Sequence, residues 1–379
     1  MSPSASLGIY VHLPFCPYIC PYCDFAKWPH RRSASDRYLR ALEREIANTD
    51  AVPAATLFFG GGTPNAYDAP ELAGLIARLR ERFSLADAAE ISVEVNPELV
   101  RDGDFARYRE AGVTRVSIGV QSFEPDEIAT LGRKHTPEMV EAVVAQARAF
   151  ALGSVSLDLI FAVPGQTRES WRRNLERAIA LGVDHISTSG LTVEEGTPYA
   201  AWQLREPRAF ADDALEADFY GDAIDLLEAA GYEHYEISNF AKPGHRCRHN
   251  ENYWENGEYF GLGVGAASFR DGERSVHTRD LEEYISSAIS QAAIPAERER
   301  LEGARRAGEA AMLSLRTAQG VVPKAFKERY GLDFLTFYAP IVEEFRAAGL
   351  LEADADRVRL TRRGRFVAND VCAAFVTFG

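Results

Sequence analysis

Several features that would assign this chain to a common class of protein are missing from its 379 residues. Acidic residues outnumber basic ones by 56 to 42, and the net charge of -14 provides no basic surface for a nucleic acid. No stretch approaches the roughly 18–20 consecutive apolar residues of a membrane-spanning helix. The segment from Met1 to Leu7 is polar and lacks a basic region followed by an apolar one, so no export signal is expected.

Cysteine is scarce, and its placement is uneven. Of the five cysteines, Cys16, Cys20 and Cys23 lie in one short segment, whereas Cys247 and Cys372 are far apart in the sequence. This distribution argues against a disulfide framework and predicts a reducing, cytoplasmic setting. The chain is also longer than one typical domain of about 100–200 residues, so we expect two domains, one of them large.

The cysteine segment, HLPFCPYICPYCDF from His12 to Phe25, has the spacing C-x3-C-x2-C. Three thiolates would leave one iron of a four-iron cluster open to a small molecule, whereas an electron-transfer ferredoxin closes that position with a fourth cysteine. The segment therefore predicts a [4Fe–4S] cluster that acts on a bound ligand. The alternative is a zinc site that His12 completes, although structural zinc sites usually carry a Cys-x2-Cys pair at each end.

Short β-branched or aromatic runs alternate with amphipathic stretches through the first half of the chain. The predicted strands cover residues 8–13, 56–59, 91–95, 115–120, 155–161 and 185–191. The predicted helices cover residues 36–48, 70–82, 105–110, 137–150 and 168–181, with Ser35 and Thr136 as candidate N-caps. Six βα units in succession predict an α/β fold with parallel strands, either a barrel or a doubly wound open sheet.

Unusual residues follow or end five of these strands. The cysteine segment follows the first strand and the glycine run of residues 60–64 follows the second, while Glu94, Gln121 and Asp158 lie in or just past the next three. Both barrels and open α/β sheets place their active sites at the carboxyl ends of parallel strands. We therefore expect these groups to form one site.

The chemistry of these residues suits a small polar ligand. Without side chains, Gly61 and Gly62 let the backbone approach a ligand, and the Lys-Ser/Thr ending of a phosphate-binding loop is missing after Thr63. Glu94 and Asp158 lie in otherwise apolar strands, where a carboxylate needs a partner or a ligand. The alternative for Glu94 is a salt bridge that closes the barrel.

Residues 7 to 240 resemble the partial (β/α)6 barrel of the radical S-adenosylmethionine (SAM) superfamily and, within it, the oxygen-independent coproporphyrinogen III oxidase group. The matching segments are residues 10–16, 59–64, 119–123, 131–133 and 158–160. The resemblance implies that Cys16, Cys20 and Cys23 hold the cluster. It also implies that the open iron binds the amino and carboxylate groups of SAM, which an electron from the cluster cleaves to a 5′-deoxyadenosyl radical.

The resemblance further implies a SAM pocket. Gln121 can donate and accept hydrogen bonds, and Arg133 offers a planar fork for a carboxylate. For Tyr10 and Tyr22, the alternative is packing inside the barrel. The residues to which SAM binding is carried over are Tyr10, Tyr22, Gly61, Gly62, Thr63, Glu94, Gln121, Arg133 and Asp158.

Residues 242–254 concentrate a thiol, two histidines and two aromatic residues. From the residues alone, a surface loop with a buried aromatic anchor is one reading. The other is a haem site, with His249 or Cys247 as axial ligand and two aromatic rings stacked on the macrocycle. The sequence His249-Asn250-Glu251-Asn252-Tyr253-Trp254 resembles the mark of the HemW-type haem chaperones, which implies haem binding by His249, Asn250, Tyr253 and Trp254.

Members of that group bind haem and pass it to respiratory or other haem proteins, some of them membrane-bound, and dimers occur among them. The resemblance therefore implies haem, SAM and a haem-accepting protein as partners, with the oligomeric state left open. The oxidases of the wider group carry a longer segment before Tyr10 and often a cysteine at the position of Phe25. Both differences favour the chaperone, with coproporphyrinogen III oxidation as the alternative.

The sequence predicts three segments: a barrel over residues 1–240, a connecting region over 241–298 and a mainly helical domain over 299–379. Helices are expected at residues 307–315, 324–330 and 341–348, and a small hairpin at 358–364. This pattern resembles a winged-helix module. The acidic balance argues against DNA binding, so we expect a lid or an interaction surface.

Overall fold

The computed structural model describes residues 7–378; the expectations for Met1 to Ser6 and for Gly379 lie outside this part of the chain. The strands are β1 Leu7–Leu13, β2 Phe15–Cys16, β3 Trp28–Pro29, β4 Ala54–Gly61, β5 Glu90–Val95, β6 Arg115–Gln121, β7 Ser154–Phe161, β8 His185–Gly190, β9 Glu233–Glu236, β10 Asn239–Ala241, β11 Tyr259–Leu262, β12 Ala267–Arg270, β13 Glu273–His277, β14 Ala296–Arg300, β15 Leu351–Ala353 and β16 Val358–Leu360.

Helices connect these strands and form most of the C-terminal region. They are α1 Arg32–Asn48, α2 Ala69–Arg82, α3 Asp104–Ala111, α4 Pro125–Thr130, α5 Pro137–Ala149, α6 Arg168–Ala180, α7 Pro198–Arg205, α8 Asp213–Ala229, α9 Arg248–Trp254, α10 Leu281–Ser290, α11 Gly303–Leu315, α12 Pro323–Tyr330, α13 Phe334–Phe337, α14 Ala339–Ala347, α15 Arg362–Phe366 and α16 Ala368–Thr377. Within the described residues, no helix is both long enough and apolar enough to cross a membrane.

Six parallel strands form the centre of the main sheet, in the order β1-β4-β5-β6-β7-β8. Their spatial order follows their order in the chain, whereas a doubly wound sheet reverses direction at a switch point. With right-handed crossovers, an order without reversal keeps the helices on one side of a curved sheet. The partial (β/α)6 barrel is therefore confirmed, and the doubly wound alternative is wrong.

The sheet continues beyond these six strands at both edges. β11 pairs in parallel with β1, and β12, β13 and β14 follow in antiparallel order. At the other edge, β10 pairs antiparallel with β8. Much of the segment predicted to be a connecting region thus extends the barrel sheet. The exact boundaries between domains stay a prediction.

Buried side chains form two separate hydrophobic clusters. The larger cluster runs from Leu7 to Ala288 and fills the space between the sheet and its helices. The smaller cluster runs from Ala307 to Phe375, in the predicted C-terminal helical domain. The predicted hairpin there is misplaced, because β15 pairs with β16 and Thr361 then caps α15. The last part of residues 358–364 is therefore helical.

Two predicted helix caps have different outcomes. The Thr136 side chain accepts a hydrogen bond from the backbone N–H of Met139, with Pro137 at the first helical position, so this cap is confirmed. The expectation for Ser35 is wrong, because α1 begins at Arg32 and Ser35 is a buried residue of its first turn.

Candidate cofactor site in the barrel

A cavity of about 490 Å³ lies inside the barrel, in the size range of cofactor sites. It extends from the cysteine segment, past the carboxyl ends of the strands, down to residues near their amino ends. The predicted site residues that line it are Tyr10, Cys16, Cys20, Tyr22, Cys23, Gly61, Gly62, Thr63, Glu94, Gln121, Arg133, Asp158, His249, Asn250 and Tyr253. The remaining one, Trp254, lines a different cavity.

The cysteine segment closes the upper end of this cavity. Cys16 ends β2, which pairs with β3, and the backbone N–H of Cys23 donates to the carbonyl of Cys20 at 3.3 Å. Burial raises the pKa of the Cys16 thiol to about 11, although the Thr63 hydroxyl partly offsets this. Within residues 7–378, no three His, Cys, Asp or Glu side chains converge on one point as metal ligands. The three thiols therefore support a cluster through their spacing and their common position at the cavity.

The position of His12 bears on the zinc alternative. Its Nε2 lies 2.7 Å from the carbonyl oxygen of Ala26, to which it donates, and its Nδ1 lies 3.1 Å from the Tyr10 hydroxyl. Since both ring nitrogens are engaged and the side chain is buried, His12 is not available as a fourth zinc ligand in this arrangement.

The glycine run packs directly against the start of the cysteine segment. Gly61 has φ +107°, and a Cβ atom there would lie 2.4 Å from the His12 ring. A Cβ atom on Gly62 would lie 2.6 Å from the carbonyl carbon of Pro14, and the Gly62 N–H donates to the Leu13 carbonyl at 2.9 Å. Only glycine fits at both positions, and the backbone of this turn is thereby exposed to the cavity.

Two carboxylates, those of Glu94 and Asp158, lie partly buried at the wall of the cavity. Burial raises the pKa of Glu94 to about 8, nearby Asp158 raises it further, and a hydrogen bond from the Gly61 backbone partly opposes the shift. Burial likewise raises the pKa of Asp158 to about 6, opposed first by hydrogen bonds from the Ser117 hydroxyl at 3.0 and 3.1 Å. Since neither acid forms a salt bridge within residues 7–378, the two favour a ligand that brings positive charge or hydroxyl groups.

Gln121 ends β6, the strand between those of Glu94 and Asp158, and Arg133 follows α4. Gln121 has φ +64°, an uncommon backbone conformation for this residue, at a bulge between β6 and β7. Arg133 donates to the Asn96 side-chain oxygen at 2.9 Å and to the Gly119 carbonyl at 2.7 Å. Its Nε is buried and has no partner among the described residues. Although Nη2 also lies 4.0 Å from the Glu98 carboxylate, the Nε–H is left for a carboxylate of a ligand.

Several lining residues were not predicted from the sequence. They include Tyr18, Asn96, Ser117, His185, Ser187 and Ser189. Alternation along the strands was the available signal, because residues two apart on a strand share a face. Ser117 shares a face with Gly119 and Gln121, and three alternate polar residues of β8 all face the cavity.

Helix α9 closes the lower end of the barrel. Its first backbone N–H groups, those of Arg248 and His249, donate to the Glu90 carboxylate at 3.1 and 3.0 Å. The His249 ring lies with Nδ1 2.8 Å from the Thr56 hydroxyl and Nε2 2.8 Å from the Tyr253 hydroxyl. Burial lowers the pKa of His249 to about 3, so the ring is neutral and is engaged at both nitrogens.

Trp254 is separated from these residues by the geometry of α9. Residues four apart share a helix face, as His249 and Tyr253 do, whereas the next residue points about 100° away. Trp254 therefore lies against the C-terminal domain, with the Arg316 guanidinium 5.2 Å from its ring centroid. The expectation that Tyr253 and Trp254 stack on one flat ligand in one site is not met in this structure.

Comparisons with known proteins agree with this architecture. The family model of the radical SAM superfamily matches residues 10–192, and that of the HemN C-terminal domain matches residues 301–367. The "Heme chaperone HemW" of Bacillus subtilis is 33% identical over 372 residues, 97% of this chain and 98% of the relative. Its namesake in Escherichia coli is 34% identical over 383 residues, 98% of each chain.

A solved structure matches over the same range. The coproporphyrinogen III oxidase HemN of Escherichia coli, described as a radical SAM enzyme, gives a TM-score of 0.87 at 25% identity, covering 99% of this chain and 91% of that one. Fold and site together define a class: a radical SAM barrel followed by a C-terminal domain of the HemN type. The chain belongs to the HemW family of the radical SAM superfamily.

Proposed function

We propose that this protein is a cytoplasmic haem chaperone that carries a [4Fe–4S] cluster and SAM. In this proposal it binds haem and passes it to haem proteins, membrane-bound respiratory enzymes among them. The observation that carries the proposal is the similarity, at 32–36% identity and over 97–98% of this chain, to proteins named heme chaperone HemW. Details of cofactor binding and of haem delivery are part of the proposal.

The residues of the barrel cavity fit a cluster and SAM. When bound, these groups would supply one-electron reductive cleavage of SAM, the chemistry of the superfamily. Cys16, Cys20 and Cys23 would hold the cluster, because all three line the upper cavity and leave one iron open. The exposed backbone at Gly61 and Gly62 would bind the amino-acid end of SAM.

The polar walls of the cavity would orient SAM. The unpartnered Arg133 Nε would donate to its carboxylate, while Gln121 and Thr63 offer neutral donors and acceptors. Glu94 would face the cationic part of the ligand and Asp158 the ribose hydroxyls, since neither carboxylate forms a salt bridge within residues 7–378 and burial raises the pKa of both. Tyr10 and Tyr22 would flank the cluster and limit its access to water.

Haem binding is proposed for the α9 region, in which His249, Asn250 and Tyr253 line the barrel cavity and Trp254 lines the cavity on the other face of the helix. The structure puts a condition on His249, because its ring nitrogens already contact Thr56 and Tyr253. If His249 ligates haem iron, one of these contacts must break. If it does not, its role is to hold α9 against the barrel.

The test is an anaerobic titration of the cluster-reconstituted protein with haem, followed at the Soret band. Saturable one-to-one binding is expected, and the absence of specific binding would refute the proposed chaperone function. His249→Ala is titrated in parallel, with its iron content as a check on folding. A weakened Soret shift at full iron content would assign the ligand to His249, and an unchanged shift would leave it with a structural role.

The fold match to HemN favours a second candidate function, the oxidative decarboxylation of two propionates of coproporphyrinogen III. Such a reaction also needs an electron acceptor. Phe25, where the oxidases often have a cysteine, is 64% exposed beside the cluster segment. An anaerobic assay for decarboxylated porphyrinogen separates the two candidates, and we expect no product from this protein.

A further inference from the structure

A second cavity, of about 800 Å³, lies between α9 and the C-terminal domain. We call it the Trp254 cleft; α9, α12 and the β15–β16 hairpin contribute to it. Trp254, Phe326 and Tyr330 supply an aromatic wall. The indole N–H of Trp254 is buried and has no acceptor among the described residues, and Arg316 covers one face of its ring. The cleft thus presents a partly buried aromatic surface of the kind that stacks on a flat ligand.

The cleft is also cationic in a chain whose net charge is -14. Arg329 donates to the backbone carbonyls of Glu255 and Asn256 at 2.6 and 2.5 Å, which satisfies two of its N–H groups without neutralising its charge. Arg357 is exposed, and within residues 7–378 its guanidinium forms no salt bridge within 4 Å, although its backbone N–H donates to the Asp354 carboxylate at 2.8 Å.

Two further arginines of the cleft are different, because acids already neutralise them. Arg246 pairs with Glu233 at 3.0 Å, and Arg359 pairs with Glu352 at 2.9 Å. Two acids, Glu251 and Glu255, also line the cleft, and Glu251 lies 3.5 Å from Arg246. Among the described residues, Arg329 and Arg357 are the two arginines of the cleft that form no salt bridge and that a ligand could meet. Two such charges beside an aromatic wall suit a flat ligand with two carboxylates.

The residues that line the cleft include no histidine, cysteine or methionine. The usual axial ligands of haem iron are therefore missing from its walls, apart from tyrosine hydroxyls. A macrocycle in the cleft would be held by stacking and by its carboxylates. The central metal would then contribute little to affinity.

The central cavity is less suitable for such a ligand. Its wall carries the partly buried carboxylates of Glu94 and Asp158, which would repel propionates once ionised. The cluster and SAM are proposed for the same space. The Trp254 cleft lies outside it, on the other face of α9.

We propose that the Trp254 cleft is where haem is held, with the macrocycle against Trp254 and the two propionates facing Arg329 and Arg357. The inference rests on the proposed chaperone function and specifies its haem site. It moves the site from the His249 face of α9 to the Trp254 face. It also places half of the site on the C-terminal domain, open to solvent and to an accepting protein.

Three probes test how the ligand is held: ferric haem, metal-free protoporphyrin IX and the dimethyl ester of protoporphyrin IX. We expect haem and the metal-free porphyrin to bind with dissociation constants within about threefold of each other, and the ester at least about tenfold more weakly. Metal-free porphyrin that fails to bind while haem binds would contradict the proposal, because it would show that iron ligation dominates.

Variants of the cationic residues test the location. Arg357→Glu changes an exposed side chain and should weaken haem binding about fivefold to tenfold. Arg205→Glu is the matched control, since Arg205 is an exposed arginine on α7 that lines neither cavity. Arg329→Gln is the second variant, with Tm as a check because its backbone contacts are lost. The cluster iron content should be unchanged in all three.

The outcomes separate the two proposals. If wild-type protein binds haem and both Arg357→Glu and Arg329→Gln bind it with unchanged affinity, the Trp254 cleft is not the haem site, while the proposed chaperone function stands. If wild-type protein binds no porphyrin at all, the chaperone function fails and the cleft proposal fails with it. Selective weakening in the two cleft variants, with normal binding by Arg205→Glu, supports both.

Discussion

At the scale of single residues, the most consequential feature is the pair of partly buried carboxylates in the barrel wall, Glu94 and Asp158. Burial disfavours the charged form of Glu94 and raises its pKa from the ordinary 4.5 to about 8 in the folded state. Between these values the folded state holds a proton that the unfolded state has released. The contribution of Glu94 to stability is therefore greatest below about pH 4.5 and falls as the pH rises through about 8.

Glu94→Gln removes this titration while keeping the shape of the side chain. We expect the cofactor-free variant to unfold with a free energy higher than wild type by on the order of 3 kcal/mol at about pH 8, with a smaller difference near pH 6. Denaturant unfolding at several pH values measures it. Glu343→Gln, which changes an exposed acid on α14, is the control. If the free energy of unfolding depended on pH in the same way for Glu94→Gln and wild type, the argument that burial raises the pKa of Glu94 would be contradicted.

Cys20→Ser tests the cluster at the same scale. A serine oxygen is a poor replacement for a thiolate on iron, so we expect reconstituted protein to lose most of its iron and acid-labile sulfide, and with them SAM cleavage. Cys372→Ser serves as the control, because this buried cysteine belongs to the hydrophobic core of the C-terminal domain and not to the cysteine segment. A full cluster with normal SAM binding in Cys20→Ser would refute the ligand assignment.

Most of the candidate cofactor site could be predicted residue by residue, because the cysteines, the glycine turn and Glu94, Gln121 and Asp158 all follow or end strands. Trp254 could not. Its sequence neighbour Tyr253 faces the barrel, but α9 turns about 100° per residue, so adjacent residues face different cavities. Placing Trp254 required knowledge that residues 248–254 are helical.

At the scale of elements, the turn after β4 depends on glycine. Gly61→Ala would put a Cβ atom 2.4 Å from the buried His12 ring, at a φ of +107° that alanine tolerates poorly. We expect it to lower stability by about 2 kcal/mol or more and to abolish SAM binding, measured by thermal unfolding and by equilibrium dialysis.

The control for this turn is Gly74→Ala. Gly74 is an exposed residue within α2, and a Cβ atom there would meet nothing within 4 Å. Since alanine has a higher helix propensity than glycine, the free energy of unfolding of this variant should be about 0.5–1 kcal/mol higher than that of wild type. Equal effects of the two substitutions would show that the turn has no special requirement for glycine.

The strands of the barrel were predicted to within about two residues because their buried, β-branched runs are long. The strands added after residue 240 were missed. β11 has four residues and is followed by glycines, and β13 and β14 are polar and partly exposed, so neither length nor periodicity marked them. Their place in the sheet depends on pairing with distant strands, which local sequence does not encode.

At the scale of the whole molecule, the C-terminal domain is joined to the barrel close to α9. The Ile237 N–H donates to the Arg316 carbonyl, and Arg274 of β13 pairs with the buried Glu309 of α11 at 2.6 Å. The cluster segment lies at the opposite, upper end of the barrel. The proposed SAM and haem sites are thus at different ends, with α9 between them.

This arrangement predicts that damage to the C-terminal core separates the two sites. Phe334 is fully buried and packs against Phe326 and Tyr338, each with a ring-centroid distance of 5.0 Å, and Phe326 lines the Trp254 cleft. Phe334→Ala should lower the stability of the C-terminal domain by about 3–5 kcal/mol and loosen the wall that α12 forms in the cleft.

We expect Phe334→Ala to bind haem at least about tenfold more weakly, while iron content and SAM binding stay within about twofold of wild type. Haem titration, iron analysis and dialysis with SAM measure the three quantities on one preparation. Equal loss of all three would contradict the separation, because it would mean that the barrel and the C-terminal domain unfold as one cooperative unit. Selective loss of haem would place haem at the junction with the C-terminal domain and leave the barrel to the cluster and SAM.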